Sequence, residues 1–311
     1  MRKIVVLGST NTDMVVAGRR IPSPGETISG GTFMMNPGGK GANQAVAVAR
    51  LAKGSPALRS LGVGGCTFIA KVGADLFGRE TAVRMRKDGI DAKLIVDRKE
   101  PSGTALILVA PNGQNVISVA LGANGTLSPK DIAKCRRDIE GAAALLLQLE
   151  TPMKTVMTAA KWAHAKGVPV VLNPAPAAKL PQGLYRCLDW ITPNETEAEL
   201  LTGVKVTDAK SAQRAVDVFL RRGVGHVAIT MGAKGVYCGD CRRLYPARKV
   251  RAVDCVAAGD TFNGAFVVAL TEGKGCGEAI GFAQKAAAIS VMRRGAQSSV
   301  PFRAEVETCG K

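Results

Sequence analysis

Short apolar runs and helical stretches alternate through the second half of the chain. Strands are predicted at residues 144–149, 170–172, 190–192 and 226–230. Helices are predicted from Pro152 to Lys166, with Thr151 as N-cap, and at 195–201 and 211–222. Gly203 and Gly223 mark the ends of the last two helices. This alternation predicts a parallel β-sheet with helices on both faces, and residues 1–8 are expected to supply its first strand.

Two segments depart from this pattern. Residues 14–36 and 98–122 contain short β-type runs, and Pro111-Asn112-Gly113 between 104–109 and 116–120 predicts a hairpin. We expect these segments to form a small separate sheet. It could close over a cleft as a lid or merely extend the main sheet without moving. Residues 52–65, rich in Gly and Ser, are predicted to form a surface loop.

Composition narrows the class of protein. The chain has 311 residues and a net charge of +17, but its basic residues are scattered in pairs rather than grouped on one arm. Specific nucleic-acid binding is therefore not expected. No apolar run reaches the roughly 20 residues that span a bilayer, so no membrane partner is expected. The N-terminal run is too short for a signal peptide, which favours reduced cysteines and a cytoplasmic location, with other intracellular compartments left open.

Several kinds of catalytic site are disfavoured. The chain has no P-loop signature, and its two histidines fall in a predicted helix and at the start of a predicted strand. Cys238 and Cys241 form a single C-x-x-C pair at a predicted hairpin turn. Because no second pair follows at zinc spacing, metal or redox chemistry is not expected there.

Two glycine-rich segments can carry chemistry. Around Lys40, glycines allow close approach to a polar ligand while Lys40 and Asn43 supply donors; a tight turn before a closely packed helix explains them equally well. In the second segment, small residues precede a predicted helix whose first turn contains Asp260. Free N–H groups there can bind an anion, and Asp260 can act either as a general base or simply as a helix-capping residue.

Four motifs identify a family resemblance. They are Gly8-Ser9-Thr10-Asn11-Thr12-Asp13, Gly38-Gly39-Lys40-Gly41-Ala42-Asn43-Gln44-Ala45, Thr192-Pro193-Asn194-Glu195-Thr196-Glu197 and Ala257-Ala258-Gly259-Asp260-Thr261-Phe262-Asn263-Gly264. With these motifs the chain resembles the ribokinase-like (PfkB) carbohydrate kinases over nearly its whole length. The resemblance implies one carbohydrate kinase domain over 1–311, an α/β fold. It is a three-layer α/β/α sandwich with a central, mostly parallel sheet and a small β-sheet lid.

The resemblance also implies a reaction. It is the ATP-dependent phosphorylation of D-ribose at O5 to D-ribose 5-phosphate and ADP, with Asp260 as base and an anion hole at Ala257, Ala258 and Gly259. The sugar would be bound by Asn11, Asp13, Gly39, Lys40, Asn43, Glu150 and Asp260. Loss of a single hydroxyl from such a sugar leaves a buried polar group unpaired.

Cofactor sites follow from the same resemblance. ATP would contact Asn194, Thr230, Gly232, Lys234, Gly235, Gly259 and Gln284. Glu197 would organise Mg²⁺ through water. An activating K⁺ would lie among Asp254, Val256, Ser290, Arg293, Gly295 and Ser299. The family also implies a homodimer that forms through the lid.

Alternatives remain open at this stage. The acceptor could be another small sugar or a nucleoside, such as deoxyribose, fructose or adenosine. A protein that binds sugar without catalysis is a second alternative, which the presence of both Gly259 and Asp260 disfavours. Three departures from the family pattern are a longer 52–65 segment, a shorter 239–244 segment and Gln284 itself; the last two affect the expected contacts with adenine.

Overall fold

The computed structural model of the chain describes residues 1–112 and 114–309. Gly113, and with it the tip of the predicted hairpin turn, lies outside the described residues, as do Gly310 and Lys311 at the C-terminus.

A nine-stranded sheet forms the centre of the molecule. Its strands are β1 (Arg2–Leu7), β4 (Val63–Gly73), β5 (Asp91–Asp97), β8 (Ala144–Leu147), β9 (Val170–Leu172), β10 (Trp190–Ile191), β11 (His226–Thr230), β12 (Val236–Cys238) and β13 (Arg243–Tyr245). They lie in the order β13-β12-β11-β10-β9-β8-β1-β4-β5. All neighbouring pairs from β11 to β5 are parallel, and β12 and β13 are added antiparallel at one edge. The predicted, mostly parallel sheet is confirmed.

Helices cover both faces of this sheet. They are α1 (Lys40–Ala52), α2 (Pro56–Ser60), α3 (Leu76–Lys87), α4 (Pro129–Ile132), α5 (Arg136–Glu140), α6 (Met153–His164), α7 (Gln182–Tyr185), α8 (Glu195–Thr202), α9 (Ala209–Arg221), α10 (Ala258–Thr271), α11 (Cys276–Val291) and α12 (Arg303–Thr308). None of those among the described residues combines the length and the apolar character needed to cross a membrane.

Alternation along the strands separates two apolar cores. Ile4 and Val6 of β1 face a core shared with α1, α10 and α11, whereas Val5 and Leu7 face a second core shared with α6, α8 and α9. Successive strand side chains point to opposite faces, so a strand buried on both sides must be apolar at every position. The result is a three-layer α/β/α arrangement, as expected.

A second sheet of four strands lies apart from the first. It contains β2 (Asn11–Ala17), β3 (Thr32–Gly38), β6 (Gly103–Val109) and β7 (Asn115–Ala120), in the order β3-β2-β6-β7. The predicted hairpin is confirmed, since β6 and β7 pair antiparallel. The two β-rich segments singled out in the sequence therefore form a separate small sheet, as predicted.

Two local predictions were wrong. Residues 52–65 are not a continuous loop, because Ser55 caps the short helix α2 by accepting from the N–H of Leu58, and β4 begins at Val63. The N-cap of α6 is Pro152 rather than Thr151, because Pro152 has a non-helical backbone (φ −55°, ψ 128°) and the first helical residue is Met153.

Candidate active site

The N-terminus of α10 holds a buried carboxylate. Ala257 precedes the helix in a left-handed conformation (φ 58°), and Asp260 lies in the first turn. Asp260 is only 6% exposed, and no acceptor among the described residues pairs with the backbone N–H groups of Gly259 and Asp260. A Cβ added at Gly259 would meet no atom within 4 Å, so the space beside this turn is open to a ligand. Free N–H groups at a helix start attract anions.

Two amides of α1 hold the Asp260 carboxylate. Asn43 donates from Nδ2 to Oδ2, and Gln44 donates from Nε2 to Oδ1, both over 2.9 Å. These bonds require α1 and α10 to approach closely, which Gly264 permits: a Cβ there would overlap the Cβ of Ala47. Asp260 is therefore fixed by side chains from another helix, an arrangement that simple helix capping does not require.

Burial raises the pKa of Asp260, and the charge of Lys40 together with the two amide bonds opposes that rise. For Lys40 itself burial lowers the pKa, but the carboxylates of Asp260, Glu150 and Glu197 outweigh it, and its pKa lies above the usual value. Lys40 therefore remains charged among these acids. A buried carboxylate with a raised pKa is a better proton acceptor than an ordinary aspartate.

The loop before α1 is shaped by close backbone packing. Gly39 has φ 88°, and a Cβ there would come within 2.7 Å of the backbone at Thr10 and Asn11. A Cβ at Gly41 would come within 2.6 Å of Gly8. Both glycines are thus required sterically, which leaves any role of Gly39 in ligand binding to its backbone. The Glu150 carboxylate accepts the backbone N–H of Lys40 over 3.0 Å at this junction.

Polar side chains of the small sheet lie near the same junction. Asn11 is buried and its Oδ1 accepts from Nδ2 of Asn124 over 2.8 Å. Burial, together with the nearby charge of Glu150, raises the pKa of Asp13 to about 6.

Asn43 of α1 has one buried atom without a hydrogen bond. Its side-chain Oδ1 is buried and has no partner within the described part of the chain. A buried acceptor without a partner is costly unless a ligand supplies the donor.

A cleft of about 640 Å³ adjoins Asp260. Its lining contains Lys40, Asp260 and the turn Ala257-Ala258-Gly259, which is predicted to bind an anion and is called the anion-binding turn below. It also contains five further predicted nucleotide-site residues, Asn194, Thr230, Gly232, Gly235 and Gln284, and Glu197, the residue predicted to organise Mg²⁺. Lys234 is not part of the lining, because its Nζ donates instead to the backbone oxygen of Thr207 over 3.0 Å. Gln284 donates from Nε2 to the backbone oxygen of Tyr245 over 2.9 Å, so the β12–β13 hairpin is joined to α11 at the cleft wall.

Asn194 and Glu197 form a capping box at the start of α8. Asn194 Oδ1 accepts the N–H of Glu197 over 2.8 Å, and Glu197 accepts the N–H of Asn194 over 2.9 Å. Burial raises the pKa of Glu197. The capping role does not remove Glu197 from the cleft, since it still forms part of the wall. The carboxylate is an oxygen donor of the kind that Mg²⁺ prefers, and its protein bonds suit contact through water.

Five of the six residues assigned to K⁺ hydrogen-bond to one another in two groups next to the anion-binding turn, Asp254 with Val256 and Gly295, and Ser290 with Arg293. Asp254 joins the loop before α10 to the loop after α11, because its carboxylate accepts the N–H groups of Val256 and Gly295, each over 2.9 Å. Ser290, in the last turn of α11, and Ser299, in the segment after that helix, are both fully buried. Arg293 donates to Glu305, and its backbone N–H donates to the oxygen of Ser290. Carboxylate, hydroxyl and backbone oxygens are the donors that a hard alkali cation takes, so the chemistry of this set fits.

Known proteins resemble this chain in sequence and fold. The family model described as "pfkB family carbohydrate kinase" matches residues 1–303.

The chain belongs to the pfkB family of carbohydrate kinases.

Individual relatives cover the kinase almost completely. It is 46% identical to the ribokinase of Haemophilus influenzae over 98% of this chain and 97% of that protein. It is 36% identical to the deoxyribokinase of Salmonella typhimurium over 96% of this chain and 95% of that protein. The structure of Arabidopsis thaliana ribokinase complexed with ribose and ATP matches with a TM-score of 0.87 and 32% identity, covering 98% of this chain and 97% of that one.

Sequence reasoning missed residues that position the site. Gln44 bonds Asp260 and also links Asn173 and Gln148, while Asn124 holds Asn11. Gln44 lies in the same glycine-rich motif as Lys40 and directly follows Asn43 on a predicted helix, so the sequence did indicate that Gln44 could belong to the site. No sequence pattern indicated Asn124, because it lies in a 3₁₀ turn after the small sheet and is far from Asn11 in the chain.

Proposed function

We propose that this kinase transfers the γ-phosphoryl group of ATP to O5 of D-ribose, giving D-ribose 5-phosphate and ADP. The observation that carries the proposal is the position of Asp260. It is buried, held by two amides, and lies between a polar cluster and a cleft of nucleotide size. The kinase is also more similar to the Haemophilus ribokinase than to the Salmonella deoxyribokinase.

Asp260 supplies the base in this reaction. Its carboxylate accepts the proton of O5 as that oxygen attacks the γ-phosphorus, because a neutral alcohol is a weak nucleophile at neutral pH. The free N–H groups of Gly259 and Asp260 stabilise negative charge on the transferring group, and Lys40 adds a positive charge at the same place.

Ribose recognition is assigned to the polar cluster next to Asp260. Asn11, Asp13, Asn43 and Glu150, with the backbone at Gly39, offer acceptors and donors to several hydroxyls at once. The unpaired Asn43 Oδ1 and the carboxylates of Asp13 and Glu150 support this assignment, since sugar hydroxyls would satisfy them.

ATP is assigned to the cleft, with Asn194, Thr230, Gly232 and Gly235 toward its phosphates and Gln284 toward its base. Lys234 would contact ATP through its backbone only, because its side chain is hydrogen-bonded to the backbone oxygen of Thr207. Glu197 would hold Mg²⁺ through water, and Mg²⁺ would neutralise phosphate charge. The loops joined by Asp254 would hold K⁺ and so fix the anion-binding turn.

A homodimer and a cytoplasmic location complete the proposal. Alternation from Met14 places Phe33, Met35 and Leu106 of the small sheet on one face, and these three are exposed by 59%, 46% and 57%. An exposed apolar face of this kind supports pairing with a second copy through the lid. The eight free cysteines, and ATP as the phosphoryl donor, support a reducing intracellular compartment.

A kinase for 2-deoxyribose is the second candidate, favoured by the Salmonella relative. The experiment is an ADP-release assay across pentoses, hexoses and nucleosides. Ribose should give the highest kcat/KM, with 2-deoxyribose lower because a buried acceptor then loses its partner, at a cost of about 1–3 kcal/mol. A higher value for 2-deoxyribose, or for any hexose or nucleoside, would reject ribose as the substrate.

A further inference from the structure

Three cysteine side chains converge on the edge of the main sheet, outside the proposed reaction site. Cys238 ends β12 and is fully buried, Cys241 is exposed in the turn to β13, and Cys276 is the first residue of α11. Their Sγ atoms all lie within 4.8 Å of one another. Among residues 1–112 and 114–309 this is the one group of three or more His, Cys, Asp and Glu side chains close enough to share a metal ion.

The sequence alone argued against such a site, because the Cys238–Cys241 pair has no second pair at zinc spacing. Folding supplies the missing sulfur from α11 instead.

The spacing of the three sulfurs suits direct coordination. Around tetrahedral Zn²⁺, with bonds of about 2.3 Å, neighbouring sulfurs lie about 3.8 Å apart. The sulfurs here, which lie within 4.8 Å of one another, are therefore at most about 1 Å farther apart than in such a site before any ion binds. Thiolates select soft or borderline cations such as Zn²⁺ and Cu⁺ over the hard Mg²⁺ and K⁺ assigned to the cleft.

We propose that Cys238, Cys241 and Cys276 form a binding site for a single thiophilic metal ion, of the Zn²⁺ or Cu⁺ class. Three thiolates coordinate the ion, and solvent takes the remaining position of Zn²⁺ next to the exposed Cys241. Binding releases protons from the thiols to solvent and changes no oxidation state.

The ion would connect the β12–β13 hairpin to α11. These two elements already meet where Gln284 donates to the backbone of Tyr245, and a Cβ at Gly277 would come within 2.6 Å of the Tyr245 hydroxyl. Val236 and Gln284 line the cleft, whereas the three cysteines do not. The metal would therefore stabilise the cleft wall from outside the cleft and take no part in phosphoryl transfer.

The test uses the full chain, stripped of metal by a chelator and kept reduced by a phosphine. Zn²⁺ binding is measured by competition with a chromophoric chelator in excess Mg²⁺, which occupies the carboxylates of the cleft. Co²⁺ replaces Zn²⁺ in a parallel sample, because thiolate ligands give a sulfur-to-cobalt absorption band. The variants are Cys241→Ser and Cys276→Ser, and Cys309→Ser is the control that also removes one thiol.

Wild type and Cys309→Ser should bind one Zn²⁺ and show the cobalt band. Cys241→Ser and Cys276→Ser should bind at least about tenfold more weakly and lose most of the band, as expected when one of three ligands is removed. Cys241 is exposed, so its replacement leaves the fold intact, and bound Zn²⁺ should protect it from maleimide in wild type. Equal Zn²⁺ affinity in all four proteins, or no cobalt band in wild type, would overturn the proposal.

Discussion

Gln44 donates from Nε2 to Oδ1 of Asp260 over 2.9 Å, across the interface between α1 and α10. Its Oε1 accepts from Gln148 over 2.6 Å, so the amide cannot rotate without losing a buried bond. With Asn43 on the other carboxylate oxygen, Gln44 fixes both the position and the charge of Asp260. Gln44 is a positioning residue, because it would affect the reaction only through the carboxylate of Asp260.

Replacing Gln44 with Met should lower kcat/KM for ribose by about tenfold or more, the usual effect of losing a hydrogen bond to a buried charge. The pKa of Asp260 should rise further, so the loss should be larger in acidic buffer than in alkaline buffer. Full pH profiles of the variant and of the exposed control Gln182→Met test this. A loss of the same size at every pH would indicate only a structural role.

Two glycines on neighbouring helices offer a matched pair. Gly264→Ala places a Cβ against Ala47, whereas a Cβ at Gly281 meets no atom within 4 Å. The first change should destabilise the fold by about 1–3 kcal/mol and the second should stabilise it by about 0.5–1 kcal/mol. Urea unfolding measures both. Equal effects would show that α1 and α10 do not pack as closely as described.

The rate should depend on pH through Asp260. Burial raises its pKa, and a base works only when deprotonated, so activity should fall on acidification at a higher pH than for an ordinary aspartate. Lys40 opposes that rise. Lys40→Met should therefore move the acidic limb of kcat/KM to higher pH, and Lys40→Arg should leave it nearly in place. An acidic limb at the same pH in both variants would show that the charge of Lys40 does not affect the pKa of Asp260.

Potassium should activate the enzyme more than sodium. Asp254 joins the two loops through its bonds to the N–H groups of Val256 and Gly295, and these loops adjoin the anion-binding turn. Asp254→Asn should weaken the response to K⁺ before it abolishes turnover, whereas Asp138→Asn on α5 should not. The measurement is turnover in matched K⁺ and Na⁺ buffers across a concentration series. Equal rates for wild type in K⁺, in Na⁺ and without either would contradict the assignment.

The main sheet was predictable because its signals are local. Strands β9 and β11 match their predicted bounds, and Gly203 ends α8 in a left-handed conformation as expected. The antiparallel edge is different, since β12 and β13 have three residues each and carry little periodicity. The start of α6 was displaced by one residue because Thr-Pro fits two neighbouring capping positions equally well.

The site was predictable where a motif carries it and not where folding assembles it. Asp260 and Asn43 lie in motifs, and the hydrogen bond that joins them follows from helix packing through Gly264, which no local pattern reveals. Asn124 reaches Asn11 from 113 positions away, and Cys276 meets Cys238 in the same manner. Spacing rules describe ligands on one segment and do not detect a ligand supplied by a distant helix.

The assignment of Asp260 as catalytic base rests on the chemistry of a single group. Asp260→Asn keeps the size of the side chain but removes the proton acceptor. Because burial raises the pKa of the native carboxyl group, the charged form costs folding free energy above that pKa, and the neutral variant should unfold at the same temperature as wild type or higher. Thermal unfolding is therefore the control for its fold.

The most direct measurement is the turnover of Asp260→Asn with saturating ribose and ATP in Mg²⁺ and K⁺, together with the affinity for each ligand. Turnover should fall by about 10²–10⁴-fold, the usual contribution of a general base, while ribose and ATP bind nearly as in wild type. A variant that keeps more than about a tenth of wild-type turnover, far above that range, would show that Asp260 only caps α10 and that the base lies elsewhere.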